Sequence, residues 1–235
     1  NSDGVAQAII NNSNIQTNDG TITLTADNMA LSSGTIFGGS ANGSDPVTLQ
    51  PYYANTIIAL GGTNDIMAGT PDVATLGLTT ADLNSIITDS TDSALVIGNT
   101  TNTGGIQLVG DTTYDNGNLT LITGADITDT GAFVLFASAE DATITLDSGT
   151  GIFGLAGPYG TSFEIDSTYL AARARDSGSI DIAAYYGFTT GTSVNAAGAE
   201  FNGVYTAVGS GGNIDLYTGA GDLAISQPVT GDGYV

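Results

Sequence analysis

The chain contains no cysteine, no histidine and no tryptophan, and only two of its 235 residues are basic, against 24 Asp and Glu, for a formal net charge of −22. Each absence removes a class of function. Nucleic acids and phosphates are held by Lys and Arg, and Arg173 and Arg175 alone cannot build a basic groove. The same charge repels the chain from anionic bilayers, and no run of about 18 apolar residues is present to insert into one. A Ser-His-Asp triad, a Cys-His pair and a His-ligated metal centre all need residues that are missing. A metal site made only of carboxylates stays open, and its chemistry favours calcium over zinc or iron. Cysteine-free composition combined with a surplus of Asp fits a secreted or cell-surface protein that is soluble in salt and needs no disulfides.

What is present is apolar and turn-rich. Hydrophobic residues make up 41% of the chain and glycines number 34. That apolar share argues against disorder despite the high charge. The sequence opens on Asn1-Ser2-Asp3-Gly4 with no leader-like segment, and it reads as a mature product or a piece of something longer.

A short unit recurs, in which a turn residue is followed by an aliphatic, a polar residue and a second aliphatic. It appears at Ile22/Leu24, Ile106/Leu108, Leu119/Leu121, Ile144/Leu146, Ile180/Ile182, Ile214/Leu216 and Leu223/Ile225. This alternation is the period of a strand with one buried face. Longer echoes link Ser162–Gly187 to Ser193–Gly219, and Ser32–Gly38 to Ser148–Gly154, with Ile144, Ile180 and Ile214 marking steps of similar length. Short, mutually similar strands separated by Asn, Asp and Gly turns suit a sandwich or a coiled solenoid. The similarity of the units and the many small residues favour the solenoid, in which no coil buries its core alone and coils must stack. The expected fold is therefore all-β, a right-handed parallel β-helix spanning 1–235 as one domain. Its core of Ile, Leu, Val and Phe from the recurring units would include Ile22, Leu24, Ile106, Leu108, Leu119, Leu121, Ile144, Leu146, Ile180, Ile182, Ile214 and Leu216. One segment departs from the pattern around 63–93: Leu78, Leu83, Ile86 and Ile87 approach helical spacing, and Thr79 or Thr80 would cap a short helix there.

The ordered series PVTLQP (46–51), TIIALGG (56–62), LTTADLNSI (78–86), ALVIGN (94–99), GGIQLVG (104–110) and GNLTLITGADITDTG (117–131) resembles the repeat region of filamentous-haemagglutinin-type bacterial exoproteins. These are large adhesins secreted by the two-partner route. The resemblance implies a parallel β-helix that serves as an extracellular adhesive or structural shaft. The family's secretion domain with its Asn-Pro-Asn motif is missing, as is any recognisable receptor-binding module, so partner specificity does not carry over.

Candidate sites are few. An enzymatic β-helix of the lyase type would draw on Arg173 or Arg175, which alternate with Ala and share a strand face. The plainer expectation is that they pair with Asp176, Asp166 or Glu164 on a solvated surface, where such pairs contribute about 0–1 kcal/mol. Tyr52-Tyr53 and Tyr185-Tyr186 could line a sugar cleft; the plainer expectation puts one of each pair inside and the other over a neighbouring coil. The acidic stretches 111–118 and 88–93 are candidate calcium loops, or ordinary Asx turns. GGTNDIMAG (61–69) only faintly echoes a calcium nonapeptide and is rejected as a match. Sequons stand at Asn11, Asn42, Asn99 and Asn118. No catalytic residue, cofactor-binding residue or metal ligand is assigned. The expectation is a non-enzymatic extracellular rod whose contacts are with itself, end to end, or with host surfaces and carbohydrate. The alternatives are a self-assembling filament, bridged by calcium in one version, and a carbohydrate-active β-helix enzyme.

Overall fold

The computed structural model describes residues 8–18, 20–38, 45–62, 75–88, 93–155, 162–195 and 200–231. They form a parallel β-solenoid. Every pairing between strands is parallel, and one isolated antiparallel bridge joins Thr192 to Asn202.

A first wall of ten strands stacks Ile22–Thr25, Val47–Gln50, Ala94–Asn99, Asn118–Thr123, Thr143–Ser148 and Tyr169–Ala174 in order. Its register places Ile22, Val47, Leu95, Leu119, Ile144 and Leu170 in one inward row. A second wall, also of ten strands, aligns Leu76, Ile58, Ile106, Ile127, Ile152, Ile180 and Ile214. The strand Ile180–Ala184 joins two runs of this wall, since Ile180 pairs with Ile152 while Ile182 pairs with Phe163. A three-stranded sheet of Ile15–Gln16, Ile36–Phe37 and Ile86–Ile87 closes part of the N-terminal coils. Like side chains lie one above another about 4.8 Å apart, so a single aliphatic choice is reinforced by every coil that repeats it.

The regular coils of the first wall run 24 to 26 residues, as the register of Leu95 with Leu119, Leu119 with Ile144 and Ile144 with Leu170 shows. The recurring unit has irregular steps because it samples two walls. Ile22, Leu119, Ile144 and Leu223 stand on the first, while Ile106, Ile180 and Ile214 stand on the second. The step from Ile180 to Ile214 is a true coil. The step from Ile144 to Ile180 is not, because Ile144 stacks on Leu170. The Ser32–Gly38 and Ser148–Gly154 echo likewise falls on different sheets: Ile36 lies between Ile15 and Ile86, and Ile152 between Ile127 and Ile180.

Most of the expected core is buried, including Ile106, Leu108, Leu119, Leu121, Ile144, Leu146, Ile180, Ile182 and Ile214. Of the expected core, Leu24 and Leu216 are only half-buried. These belong to the first and last rungs among the described residues, where no further coil covers one side.

The expected helix is present over Thr80–Asn84, capped by Thr79 in a reciprocal box with Asp82. The strands on either side of it stay in the stack, Thr75–Leu78 on Ile57–Leu60 and Ile86–Ile87 on Ile36–Phe37. The helix lies where a strand would otherwise pair with Thr112–Tyr114. Its side chains supply what that strand's backbone would: Thr80 Oγ1 accepts from Thr113 N, Asn84 Oδ1 accepts from Asp115 N, and Asn84 Nδ2 donates to Thr113 O. The edge is thereby closed to further pairing. Asp82 faces the preceding coil and accepts from the backbone N–H of Leu31 at 2.8 Å and of Ser32 at 3.2 Å.

Candidate functional site

Both faces of the first wall are buried at its centre. Strands Asn118–Thr123 and Thr143–Ser148 have no exposed residue. Alternation turns Leu119, Leu121, Ile144 and Leu146 inward and leaves Thr120, Ile122, Thr145 and Asp147 outward. The outward row is covered by an excursion of the chain. The wall's next strand is split into Phe188–Thr190 and Val204–Thr206, both paired with Tyr169–Ala174. The described residues between them, 191–195 and 200–203, leave the wall as the paired arms of a hairpin, bridged antiparallel at Thr192 and Asn202. Its base is tied by Gly203 N to Gly191 O, Ser193 N to Phe201 O and Phe201 N to Ser193 Oγ. Gly203 has φ +79, and a Cβ there would stand 1.8 Å from Pro228 O, so only glycine lets the hairpin rejoin the wall. Val194 packs on Ala94, Val96 and Ile122. Its carbonyl accepts from Thr120 Oγ1 at 2.5 Å and its N–H donates to Thr145 Oγ1 at 3.0 Å. The polar middle residues of two recurring units thus serve as docking points for a strap, not as solvated surface.

Under this strap sits the only ion-paired cluster among the described residues. Arg173 gives Asp147 a bidentate pair, Nε and Nη2 each at 2.8 Å. Arg175 reaches the same carboxylate with Nη1 and donates through Nη2 to Thr123 O. Tyr205 Oη accepts from Arg173 Nη1 at 3.2 Å, and the Phe201 ring lies 4.6 Å from the guanidinium carbon. Burial alone would lower the Arg173 pKa, but the Asp147 and Tyr205 contacts outweigh it and the group is held above its ordinary value. The expected pairing with Asp176, Asp166 or Glu164 on a solvated face is therefore corrected: the partner is Asp147, which is wholly buried. Sequence spacing gave no sign of the strap that excludes water here.

The tyrosine expectation is also corrected. Tyr185 and Tyr186 are 49% and 56% exposed, in an edge-to-face pair with ring centroids 5.0 Å apart, and neither points inward. Tyr52 is exposed and Tyr53 half-buried in a similar pair. Beside Tyr186 runs an open groove of about 550 Å³. It crosses successive coils at one corner of the solenoid and is lined by Ser138, Asp166, Thr168, Phe188, Thr189 and Asp222, among others.

Carboxylates elsewhere are used structurally. In the 111–118 stretch, Asp111 accepts from Val134 N at 3.0 Å, Asp115 contacts Ser138 Oγ, and Asn116 bridges to the carbonyls of Asn84 and Ile86. Tyr114 is buried with its hydroxyl 2.8 Å from Thr88 Oγ1, and burial raises its pKa. Asp129 accepts from Gly131 N and Phe133 N; burial pushes its pKa up against these bonds. Glu164 is 3% exposed, and its Oε1 has no hydrogen-bond partner among the described residues. Burial first, then the nearby Asp129 and Asp111 charges, raise its pKa. Burial raises that of Asp166 as well. No group of three or more metal-ligating side chains converges among the described residues. Most of 88–93 and of 61–69 lies outside them, as does Asn42. Asn11 and Asn118 are buried, and Asn118 bridges the coils above and below. No helix among the described residues is long and apolar enough to cross a membrane.

No protein-family model, no curated protein and no solved structure matches this chain.

Proposed function

We propose that the chain is a non-enzymatic structural and adhesive element, a stiff shaft segment displayed outside the cell. The observation that carries this reading is the unbroken inward row from Ile22 to Leu170, in which six strands of successive coils repeat one aliphatic position in register. Such a stack is a rod whose backbone is held by continuous ladders, with acids and hydroxyls on its outside. The fate of the arginines supports the same reading, since both groups that a lyase could use as base are held by Asp147 beneath the strap. The resemblance to filamentous-haemagglutinin-type shafts agrees in fold and role, and secretion follows from it by inference.

A second reading, a filament subunit, is favoured by one feature. Strands Ile214–Thr218, Leu223–Ala224 and Val229–Thr230 each pair on one side only among the described residues, and Tyr217 and Ile225 are exposed on this coil. The readings differ in what covers that edge: further coils of the same polypeptide, or a second copy with calcium screening the acidic surfaces. Negative-stain electron microscopy of the purified protein, with and without a chelator, tests both. Short rods in either condition support the shaft. Regular filaments support the subunit, and their loss on chelation adds calcium as the bridge. Compact particles with no long axis overturn both.

A further inference from the structure

We propose that the corner groove beside Tyr185 and Tyr186 is a binding site for a neutral oligosaccharide chain. The inference rests on the adhesive reading above and names the ligand class of that adhesion.

Four observations converge on it. First, the groove runs along the rod axis. It is built from the same corner of successive coils, namely 137–139, 166–168, 187–189 and 221–224, and small residues (Ala137, Ser138, Gly187, Gly221) keep it open. An elongated ligand lying parallel to the axis would meet a new coil about every 4.8 Å. Second, an exposed pair of tyrosine rings, Tyr185 and Tyr186, adjoins the groove in the chain. Gly187 and Gly221 line the groove, and Tyr186 precedes the first of them in the chain. Tyr185 stands level with Asp166 one coil away, as the pairing of Ile165 with Ala184 dictates. Two large rings packed edge to face and left on the surface take no part in the core. Exposed aromatic faces stack on the apolar C–H faces of sugar rings.

Third, two carboxylates stand among the hydroxyls of Ser138, Ser167, Thr168 and Thr189 in the groove. The Asp166 and Asp222 carboxylates line it. An ionised carboxylate accepts hydrogen bonds only, and the bonds are strong when the donor is a hydroxyl. A sugar offers many hydroxyl donors. A proline-rich peptide, the other common ligand of paired tyrosines, has few donors to give them. Fourth, no basic residue lines the groove, and the chain carries a net charge of −22. Uronates and sulfated glycans are therefore repelled, and the ligand is neutral.

The test is calorimetric titration of the intact chain with cellohexaose, maltohexaose, mannohexaose and chitohexaose, with hexagalacturonate and decaproline as controls. Tyr186→Ala and Asp222→Asn are run in parallel, both at exposed positions, with thermal melts to show that each variant is folded. The expected result is saturable binding of at least one neutral hexasaccharide, weakened about tenfold or more in each variant while the melting temperature is unchanged. The proposal is overturned if no neutral hexasaccharide binds, if binding is the same in both variants, or if hexagalacturonate or decaproline binds as tightly. These outcomes leave the shaft reading standing, because that reading fails only if the particles have no rod shape.

Discussion

Arg173 and Asp147 face each other across adjacent coils of the first wall, joined by two hydrogen bonds of 2.8 Å and sealed from water by Phe201. They are direct register partners in the ladder, 26 residues apart in sequence. Arg175 converges on the same carboxylate, so all the positive side-chain charge of a strongly acidic chain is committed to one buried Asp.

Asp147→Asn is expected to destabilise the fold by about 3–5 kcal/mol, because it leaves two guanidinium groups without their counter-charge in a water-poor site. Urea unfolding measures this. Asp176→Asn, at an exposed position, is the control and is expected to change stability by no more than about 0.5 kcal/mol. Equal midpoints for the two variants would place the arginine pair on a solvated surface after all.

The strap is held to the wall by Val194 and two threonine hydroxyls. Val194→Ser removes its apolar contact with Ala94, Val96 and Ile122 and leaves the hydrogen bonds in place. The expected result is faster amide exchange at Val194 and across the outward positions Thr120 and Thr145, with little change at inward Leu121 and Leu146. Unchanged exchange at Val194 would show that the hairpin does not depend on that contact.

These two sites mark where sequence reasoning stopped. The inward face was legible, because alternating aliphatics at Ile22, Leu119 and Ile144 have a strand period and their repetition implies stacking. The helix was legible from Thr79 and the spacing of Leu83 and Ile86. The outward face was not. Thr120, Thr145 and Asp147 look like solvated strand residues, and only the third dimension shows a hairpin from a later coil lying on them. The tyrosine pairs were misread for a related reason. Alternation would send one ring of Tyr185 and Tyr186 inward, but the strand ends at Ala184 and the chain turns there, so both rings stay outside.

Asp82→Ala is expected to cost about 1–3 kcal/mol, since it strips the acceptor from the buried Leu31 N–H and from Ser32 N and opens the Thr79 cap. Chemical denaturation reads the loss. Asp82→Asn keeps an acceptor oxygen and should recover part of it. Equal loss in both variants would argue that the charge, not the hydrogen bonds, holds the coil.

The folded-state pKa values of Glu164, Asp129 and Asp166 are raised. A carboxyl raised on folding binds its proton more tightly in the native state. Its stabilising contribution is complete below the unfolded value, 4.5 for Glu and 3.8 for Asp, and is lost as pH rises through the higher folded value. Glu164→Gln removes one such group, with Asp129 and Asp111 its nearest charged neighbours. The variant is expected to exceed the parent in stability most at neutral pH, and the difference should shrink as pH falls toward 4.5. A difference that is constant from pH 4 to 7 would show that Glu164 titrates normally.

The central claim, a stiff rod of stacked coils, is tested most directly by a distance along its axis. Thr25 and Thr230 are exposed and stand at the two ends of one ladder that passes through Gln50, Gly98, Ile122, Asp147, Arg173 and Tyr205. The chain has no native cysteine, so Thr25→Cys and Thr230→Cys can be spin-labelled without background. At about 4.8 Å per step the seven steps predict a pulsed electron-spin distance of about 34 Å, with a narrow distribution. A much shorter distance, or one spread over tens of ångströms, would contradict the rod.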